Sequence, residues 1–484
     1  MEYKWTVLTV TTVGVLMSGI DGRIVVIGLP TVAAYLHADA EQAIWFTQSY
    51  IIGSTVALLF IGRVSDIFGR VRVYTIGFTV FTVGSLFASL SFSPDSFIAA
   101  RIFQGLGSSA LFANSAAIIT DAFPSKELGR ALGINSVAFR LGSMLGLSLS
   151  GLILALADWR FLFYINIPIG IFGTFWARRR LHEMGKRDVG APMDWAGFGL
   201  FTLFIVSLLL MLTYAAYGSG EYVLVSSLGA LAGAALAIFV LLERRHPHPL
   251  LNLGLLRIRE FAGGVTAQLL NAVAWGSFIL TASLYLQLVK GLTPLAAGIS
   301  ILPFDVTFLI VGPLSGRLSD QFGTRLFATS GLAVITGSLL LYSTVGPSTP
   351  FSTFIVYLAI SGIGNGLFVS PNFSSIMGSV PPQLRGVASG LRATFFNIGF
   401  TISFNTVLLV LSFFVPYSII TNIIASSAGA SVNIADKALF SSGLDRVYDV
   451  LAIINTAAIL PSLLRGRRVE SHEEPGEEWK GEPD

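Results

Sequence analysis

The stretch GRVSDIFGRVR, residues 62–72, decides the fold that this sequence predicts. A close copy, GRLSDQFGTR, occupies residues 316–325, with glycine, arginine, serine, aspartate, phenylalanine and glycine at the same spacing. The copies lie about 250 residues apart, far beyond the roughly 20–50-residue period of a solenoid. The repeat therefore indicates a chain built from two duplicated halves.

The composition around these copies is typical of a membrane protein. Of the 484 residues, 53% are hydrophobic and 12% are charged, and the mean hydropathy is +0.75. Soluble domains carry about 25% charged residues, and apolar runs of about 20 residues, enough to cross a bilayer, recur along this chain. Backbone groups in lipid must be hydrogen-bonded internally, and the alternation of barrel strands is absent, so we expect an all-α polytopic protein.

Several classes of partner and activity are excluded by what the sequence contains. Cysteine is absent, which excludes disulfides and cysteine-ligated metals, and the net charge of +3 sits in loops between spans rather than in a nucleic-acid-binding patch. The phosphate-binding pattern G-x-x-x-x-G-K-[ST] is not found, which argues against an ATP-driven pump. We expect no cofactor, no metal and no enzyme site, since all five histidines fall in loops or the tail: His37, His182, His246, His248 and His472.

Fourteen apolar segments are predicted to be membrane helices. They are residues 5–34, 43–61, 73–92, 96–120, 128–156, 161–180, 195–216, 221–242, 262–288, 294–315, 326–345, 351–377, 386–414 and 447–464. The first follows Lys4 and lacks a convincing cleavage site, so it is interpreted as an uncleaved span. Most of the 30 Lys and Arg residues fall in alternate loops, and this positive-inside pattern predicts that both termini are cytoplasmic.

The repeats also predict the domain organisation. Each copy follows the second span of a group of six, provided that spans seven and eight are set aside as an insertion. The predicted units are an N-terminal six-helix domain at 1–182, a two-helix insert with flanking cytoplasmic loops at 183–260, a C-terminal six-helix domain at 261–466 and a disordered acidic tail at 467–484.

Six motifs in order resemble the major facilitator superfamily, in particular its fourteen-span drug/proton antiporter branch. They are GRVSDIFGRVR, IDGRIVVIGLPTV at 20–32, RIFQGLGSSA at 101–110, WRFLFYINIPIG at 159–170, HPLLNLGLLRIREF at 248–261 and YLQLVKGLTPLAAGISILP at 285–303. The resemblance implies two pseudosymmetric six-helix domains that rock about a central site in the plasma membrane. It also implies a monomer whose partners are protons, a small-molecule substrate and the lipid bilayer.

The resemblance implies a gating role for the charged loops. In the family this loop latches the cytoplasmic side, and the residues that match are Gly62, Asp66, Gly69, Arg70 and, in the second copy, Asp320. Glycine permits a tight turn and close helix approach, and an aspartate near a helix N-terminus is favoured by the helix dipole. The alternative is an ordinary charged cytoplasmic loop.

Two charged residues of the membrane motifs are candidates for proton coupling. Asp21 matches the acidic position of the branch motif, and Arg101, with Gln104 beside it, resembles the proton-transfer motif of the fourth helix. Gln104 is also a candidate for the substrate cavity. Arginine does not release its proton, so its role would be to tune a carboxylate, and Asp21 is the obvious partner. A fixed structural ion pair is the alternative.

Asp305 is the third coupling candidate, and Arg140 is its expected neighbour. Both lie near mid-depth, in spans ten and five, which the resemblance places against each other at the domain interface. We expect a pair that links the halves or lines the cavity, since an unpaired member would be costly; separate hydrated pockets are the alternative. Arg23 stands where the family has a small polar residue, and lines the cavity or reaches outward to the membrane surface.

The first helix of the second half carries three further cavity candidates. Gln268, Asn271 and Trp275 share a face at i, i+3 and i+7, although polar residues of this kind more often join helices. In span five Leu147 replaces the proline of the antiporter motif, which predicts the loss of its kink.

The function predicted first is secondary active transport, with proton-coupled export of amphipathic organic compounds or drugs by alternating access. The alternative is a carrier for an anionic organic solute, because Arg23, Arg101, Arg140 and Arg392 outnumber Asp21 and Asp305 within the spans. A sensor that does not transport remains open, since fold does not prove flux.

Overall fold

The computed structural model describes residues 2–185, 193–217, 222–246, 249–381, 384–416, 419 and 434–465, and within them regular structure is helical throughout. The first half comprises α1 Tyr3–Tyr35, α2 Ala40–Phe68, α3 Arg70–Ser89, α4 Pro94–Ala122, α5 Ser125–Leu156, α6 Phe161–Tyr164 and α7 Asn166–Arg180. The insert comprises α8 Trp195–Tyr217 and α9 Tyr222–Glu243. The second half comprises α10 Arg259–Trp275, α11 Phe278–Leu284, α12 Pro294–Phe322, α13 Thr324–Tyr342, α14 Phe351–Gly378, α15 Arg385–Phe414 and α16 Ile434–Leu463. A π turn, Tyr285–Val289, continues α11. The predicted all-α fold is confirmed.

Several helices begin at residues that favour helix starts. Asp39 caps α2 by accepting a hydrogen bond from the Gln42 backbone nitrogen, and the Gln42 side chain accepts one from the Asp39 backbone nitrogen. Ser93 caps α4 in the same reciprocal way, and the Thr293 side chain caps α12 by accepting from the Ala296 backbone nitrogen; each lies directly before a proline that has no N–H to leave unsatisfied. The sequence therefore fixes where these spans start.

The number of spans differs from the prediction. In the described residues twelve helices are long and apolar enough to cross a membrane, or up to thirteen if the two segments of α2, bent by 49°, form one span. The predicted sixth span, 161–180, is split into α6 and the 15-residue α7. The fourteen-span count is not confirmed and stays a prediction.

The last helix corrects a predicted boundary. The sequence places the last span at 447–464 and an external stretch at 416–446, whereas α16 begins at Ile434. Phe440, Leu444, Val447 and Leu451 are buried at helical spacing, so the first turns are held by packing although they carry charged residues. The predicted acidic tail, 467–484, lies outside the described residues.

The two halves repeat one pattern of helix packing. In the first half α1 packs on α5, α2 on α4, and α3 on α4 and α7. In the second half α10 packs on α15, α12 on α14, and α13 on α14 and α16. Across the halves α5 meets α12 and α2 meets α15. These two cross-contacts enclose the junction where α1, α5, α12 and α15 come together.

The repeated charged stretches also have the same backbone. Gly69 has φ 105° and ψ 134°, and Gly323 has φ 94° and ψ 136°. Each donates its N–H to a serine carbonyl four residues earlier, Ser65 or Ser319, at 2.9 Å. Left-handed φ favours glycine, so each copy joins two helices through a turn that requires it.

Gly62 does not have the turn or close-packing position that the sequence suggested. It lies inside α2, and a Cβ built there would meet no atom within 4 Å. Neither a turn nor a close helix approach requires this glycine. Its counterpart Gly316 does lie close to a neighbour, since a Cβ there would lie 2.7 Å from the Ser370 hydroxyl oxygen.

The insert lies across the junction of the halves. Helix α8 packs on α9, on α2 and on α15. Phe60 of α2 contacts Trp195 and Phe198 of α8, with ring centroids 5.3 and 4.5 Å apart. On the other side the Thr213 hydroxyl donates to Asn405 Oδ1 of α15 at 2.8 Å. The insert therefore touches both halves along the α2–α15 contact.

Helices α1 and α5 pack closely through small residues. Cβ atoms built at Gly142 and Gly146 would lie 2.3 Å from the Leu16 carbonyl oxygen and 2.4 Å from the Ile20 carbonyl oxygen. Helix α5 runs without interruption through Leu147. The glycines bring α1, with its charged side chains, against α5.

We expect Gly142→Ala to destabilise the protein by about 1–3 kcal/mol, because backbone atoms of α1 must move to admit the methyl group. The matched control is Gly133→Ala on the same helix, where a Cβ meets nothing within 4 Å and the change is expected to stabilise by up to about 1 kcal/mol. Thermal unfolding in detergent measures both. Equal midpoints for the two variants would contradict the close α1–α5 contact.

Candidate functional site

A fully buried ion pair between Asp21 and Arg101 lies inside the first half, and we name it the closed pair. Asp21 Oδ2 accepts a hydrogen bond from Arg101 Nη1 at 2.6 Å, and the two side chains are 0% and 1% exposed. Asp21 Oδ1 accepts from Gln104 Nε2 and from Asn166 Nδ2, both at 2.8 Å. Both carboxylate oxygens are therefore engaged by hydrogen-bond donors.

Aromatic rings surround the cation of this pair. The Arg101 guanidinium lies 4.4 Å from the Tyr50 ring centroid and 5.6 Å from that of Phe163. The Tyr50 hydroxyl donates to Ser108 Oγ at 2.7 Å. Ring faces attract a cation, so the site holds the guanidinium through both charge and ring contacts.

The sequence predicted three members of this network and missed the fourth. Asp21 and Arg101 meet as expected, and the direct contact agrees with the alternative of a structural ion pair. Gln104, a candidate for the substrate cavity, binds Asp21 as well. Asn166 was not singled out, since it lies 145 residues from Asp21 in the chain. The sequence feature that could have identified Asn166 is its position in the motif WRFLFYINIPIG, within which α7 begins.

A second group of charges lies at the junction of the halves, and we name it the open cluster. It consists of Arg23 on α1, Arg140 on α5, Asp305 on α12 and Arg392 on α15, all half-buried. Asp305 attracts both Arg23 and Arg140, and Arg140 is repelled by Arg23 and Arg392. Each of the four helices at the junction therefore contributes one charge.

The members of the open cluster interact without direct ion pairing. Among the described residues, no carboxylate oxygen lies within 4.0 Å of a nitrogen of Arg23, Arg140 or Arg392. Arg140 instead lies over the Phe308 ring at 4.0 Å, and Arg392 over Phe373 at 4.9 Å. The predicted contact between Arg140 and Asp305 is therefore a longer-range attraction, which Arg23 shares.

Three buried polar atoms in the open cluster have no hydrogen-bond partner among the residues that the structure describes. They are Arg23 Nη1, Asp305 Oδ2 and Arg392 Nε. A buried polar group without a partner costs about 1–3 kcal/mol, and more when it is charged. The open cluster thus has unused donors and an unused acceptor, unlike the closed pair of Asp21 and Arg101.

The three candidates on α10 have separate surroundings. Asn271 donates to Asn455 Oδ1 of α16 at 3.0 Å, which joins two helices of the second half. Trp275 stacks on Phe278 with centroids 3.9 Å apart and lies 5.4 Å from Phe304. Gln268 is buried, and its Oε1 has no partner.

The charged loop of the first half is tied to α4. Arg70 Nη1 contacts Asp121 Oδ1 at 2.6 Å, and Arg70 Nη2 contacts Asp66 Oδ1 at 3.3 Å. Asp121 was missed, because nothing local marks it as a partner of a loop 51 residues away. Asp320 lies in the last turns of α12, and its side chain is outside the described part of the structure.

Comparisons with known proteins agree with this architecture. The sequence profile of the Major Facilitator Superfamily matches residues 11–404. The chain is 33% identical over 410 residues to the riboflavin transporter RibZ of Clostridioides difficile, covering 83% of this chain and 87% of that protein. It is 32% identical over 408 residues to the multidrug resistance protein Stp of Mycobacterium tuberculosis, covering 82% and 74%.

A solved structure shows the same fold. A bacterial homolog of the human lysosomal transporter Spinster, inward-facing and occupied, superposes with a TM-score of 0.68 at 15% identity, covering 96% of this chain and 97% of the other. At that identity the likeness concerns the fold alone. Together with the family match, these relatives show that the chain belongs to the major facilitator superfamily and is a multi-pass transporter of the plasma membrane rather than an enzyme.

Proposed function

We propose that this transporter exports amphipathic organic compounds in exchange for protons by alternating access. The observation that carries the proposal is the open cluster, where the two halves meet and each junction helix contributes a charge. Charges at that depth cost several kcal/mol unless they are paired or hydrated, so their presence favours a role in transport. The relatives named for multidrug resistance and riboflavin transport support an organic substrate.

The proposed topology has fourteen spans and cytoplasmic termini, with a monomer as the working unit. It counts bent α2 as one span, takes α6 and α7 together as another, and assigns residues 1–182 and 261–466 to the two rocking domains. The matching packing patterns of the halves support this division. The placement of Lys and Arg supports the orientation.

In the proposed gate, Asp66, Gly69 and Arg70 hold the cytoplasmic end of the first half, with Asp320 in the second copy. Arg70 contacts Asp66 and Asp121, so the loop is fixed to α4 through one guanidinium. Such partly exposed pairs contribute about 1 kcal/mol or less, which suits contacts that must break in each cycle.

The proposed coupling groups are Asp21, with Arg101 as its positioning partner, and Asp305. A proton arriving at Asp21 would remove the counter-charge of a buried arginine, and the network of three donors would rearrange. Asp305 is the second proposed acceptor, because its Oδ2 has no partner.

We expect Asp21→Asn to abolish substrate-driven proton movement while leaving substrate binding intact, because asparagine keeps the size of the side chain but takes up no proton. The measurement is proton flux into proteoliposomes that contain a pH dye, with a panel of lipophilic cations and organic anions. Asp21→Glu, which keeps a carboxylate, is the matched variant and should retain part of the flux. A folded Asp21→Asn protein with wild-type flux would assign Asp21 a structural role.

A further inference from the structure

We propose that the open cluster binds an organic anion that carries an aromatic ring, and that Asp305 competes with this anion for the same arginines. The inference rests on the proposed function, since it names the substrate class of the cavity through which transport would occur. The ligand chemistry is a carboxylate, sulfonate or phosphate on a flat apolar body.

The charge balance of the open cluster differs from that of the closed pair. Arg101 faces Asp21 directly, one cation to one anion. In the open cluster Arg23 and Arg140 share one carboxylate, that of Asp305, and Arg392 adds a third cation that repels Arg140. Arginine stays charged, so the cluster carries two uncompensated positive charges at membrane depth. A bound anion lowers this charge, whereas a bound cation raises it.

The donors have the geometry that oxyanions require. Guanidinium groups present planar N–H donors that bind carboxylate or phosphate oxygens in pairs. Arg23 Nη1 and Arg392 Nε are buried without a partner, on α1 and α15. The Arg140 guanidinium lies over the Phe308 ring, so the ring occupies one of its faces and its donor edge remains available for an anion.

Asp305 acts as the built-in counter-ion of the site. It attracts Arg23 from α1 and Arg140 from α5, yet neither comes within 4.0 Å of its oxygens in the described residues. Two anions that share two cations repel each other, so a bound substrate and the Asp305 charge oppose one another. Removing the Asp305 charge should therefore strengthen anion binding.

Aromatic side chains beside the cluster indicate the rest of the ligand. Phe308 lies under Arg140, and its ring is 6.5 Å from that of Phe304. Phe304 in turn lies 5.4 Å from Trp275, which is half-buried. Phe304 is buried, whereas Phe308 and Trp275 on either side of it are half-buried, so these two rings offer contacts to a flat body whose charged group sits at Arg140.

The test compares two probes of similar size and opposite charge, 1-naphthalenesulfonate and 1-naphthyltrimethylammonium, by isothermal titration calorimetry on the full-length protein in detergent. We expect wild type to bind the sulfonate about tenfold or more tightly than the ammonium ion, as the net charge requires. Arg140→Gln should weaken sulfonate binding by about tenfold or more, and Asp305→Asn should strengthen it several-fold. Arg179→Gln is the matched control, because Arg179 also lies over a ring, that of Phe175, but at the exposed end of α7.

Three results would overturn the inference: tighter binding of the ammonium ion, unchanged sulfonate affinity in a folded Arg140→Gln protein, or weaker sulfonate binding in Asp305→Asn. If Arg140→Gln does not fold, Arg140→Lys replaces it, with a smaller loss expected because lysine lacks the paired donors. Proton flux separates the two proposals. Flux driven by cations and not by anions contradicts the anion site and leaves drug/proton exchange standing, whereas sulfonate binding without any flux contradicts the transport mechanism and leaves the anion site standing.

Discussion

The Arg101→Gln protein is expected to be about 3–5 kcal/mol less stable than wild type, because the change leaves the buried Asp21 carboxylate without its cation. Gln104 and Asn166 would still donate to Asp21 Oδ1, but neutral donors replace only part of the stabilisation that a contacting guanidinium gives. The ring contacts of Arg101 with Tyr50 and Phe163 are lost as well. Thermal and denaturant unfolding in detergent measure the change.

The double variant Asp21→Asn with Arg101→Gln isolates the charge contribution. It removes both charges and keeps groups that hydrogen-bond to each other, so we expect it to be more stable than Arg101→Gln alone. Arg446→Gln is the matched control, since Arg446 contacts Asp449 at 3.3 Å but is 62% exposed, and such pairs contribute about 0–1 kcal/mol. Equal losses for Arg101→Gln and Arg446→Gln would mean that the buried pair is not needed to neutralise Asp21.

The closed pair was predictable from the sequence because its members carry charge in apolar spans. A charge in a span needs a partner, which brought Asp21 and Arg101 together, and the family motif added Gln104. Asn166 is neutral and lies far along the chain, so no electrostatic argument pointed to it. The sequence also could not separate Gly62 from Gly69, since both are glycines of the same motif. In the structure they differ because Gly69 has a positive φ.

The open cluster shows where prediction from sequence stops. The sequence paired Asp305 with Arg140 alone and assigned no partner to Arg23 or Arg392. The assignment depends on which helix faces meet across the junction, which is a property of the packed halves. The boundary of α16 failed for a related reason, since its first turns are stabilised by contacts with other helices and not by their own hydrophobicity.

Exchanging the charges of Arg140 and Asp305 is expected to leave transport about 100-fold below wild type, a loss equivalent to about 2.7 kcal/mol in the transport barrier. Asp305→Arg alone gathers four cations at the junction with no carboxylate. Arg140→Asp alone removes the cation that lies over the Phe308 ring and puts a carboxylate on the helix that packs against α12, where it repels Asp305. Each single variant should therefore reduce substrate flux in proteoliposomes to a similar extent.

The double variant Arg140→Asp with Asp305→Arg should not restore flux, although it has the same net charge as wild type. An arginine at position 305 would face Arg23, which now loses the carboxylate that attracts it, and the shorter aspartate at position 140 leaves the Phe308 ring without its cation. The conservative double variant Arg140→Lys with Asp305→Glu keeps every charge on its own helix and should retain part of the flux. Restoration by the exchanged pair would contradict this four-residue cluster and show that Arg140 and Asp305 act as isolated partners, because only an isolated pair is indifferent to which helix carries which charge.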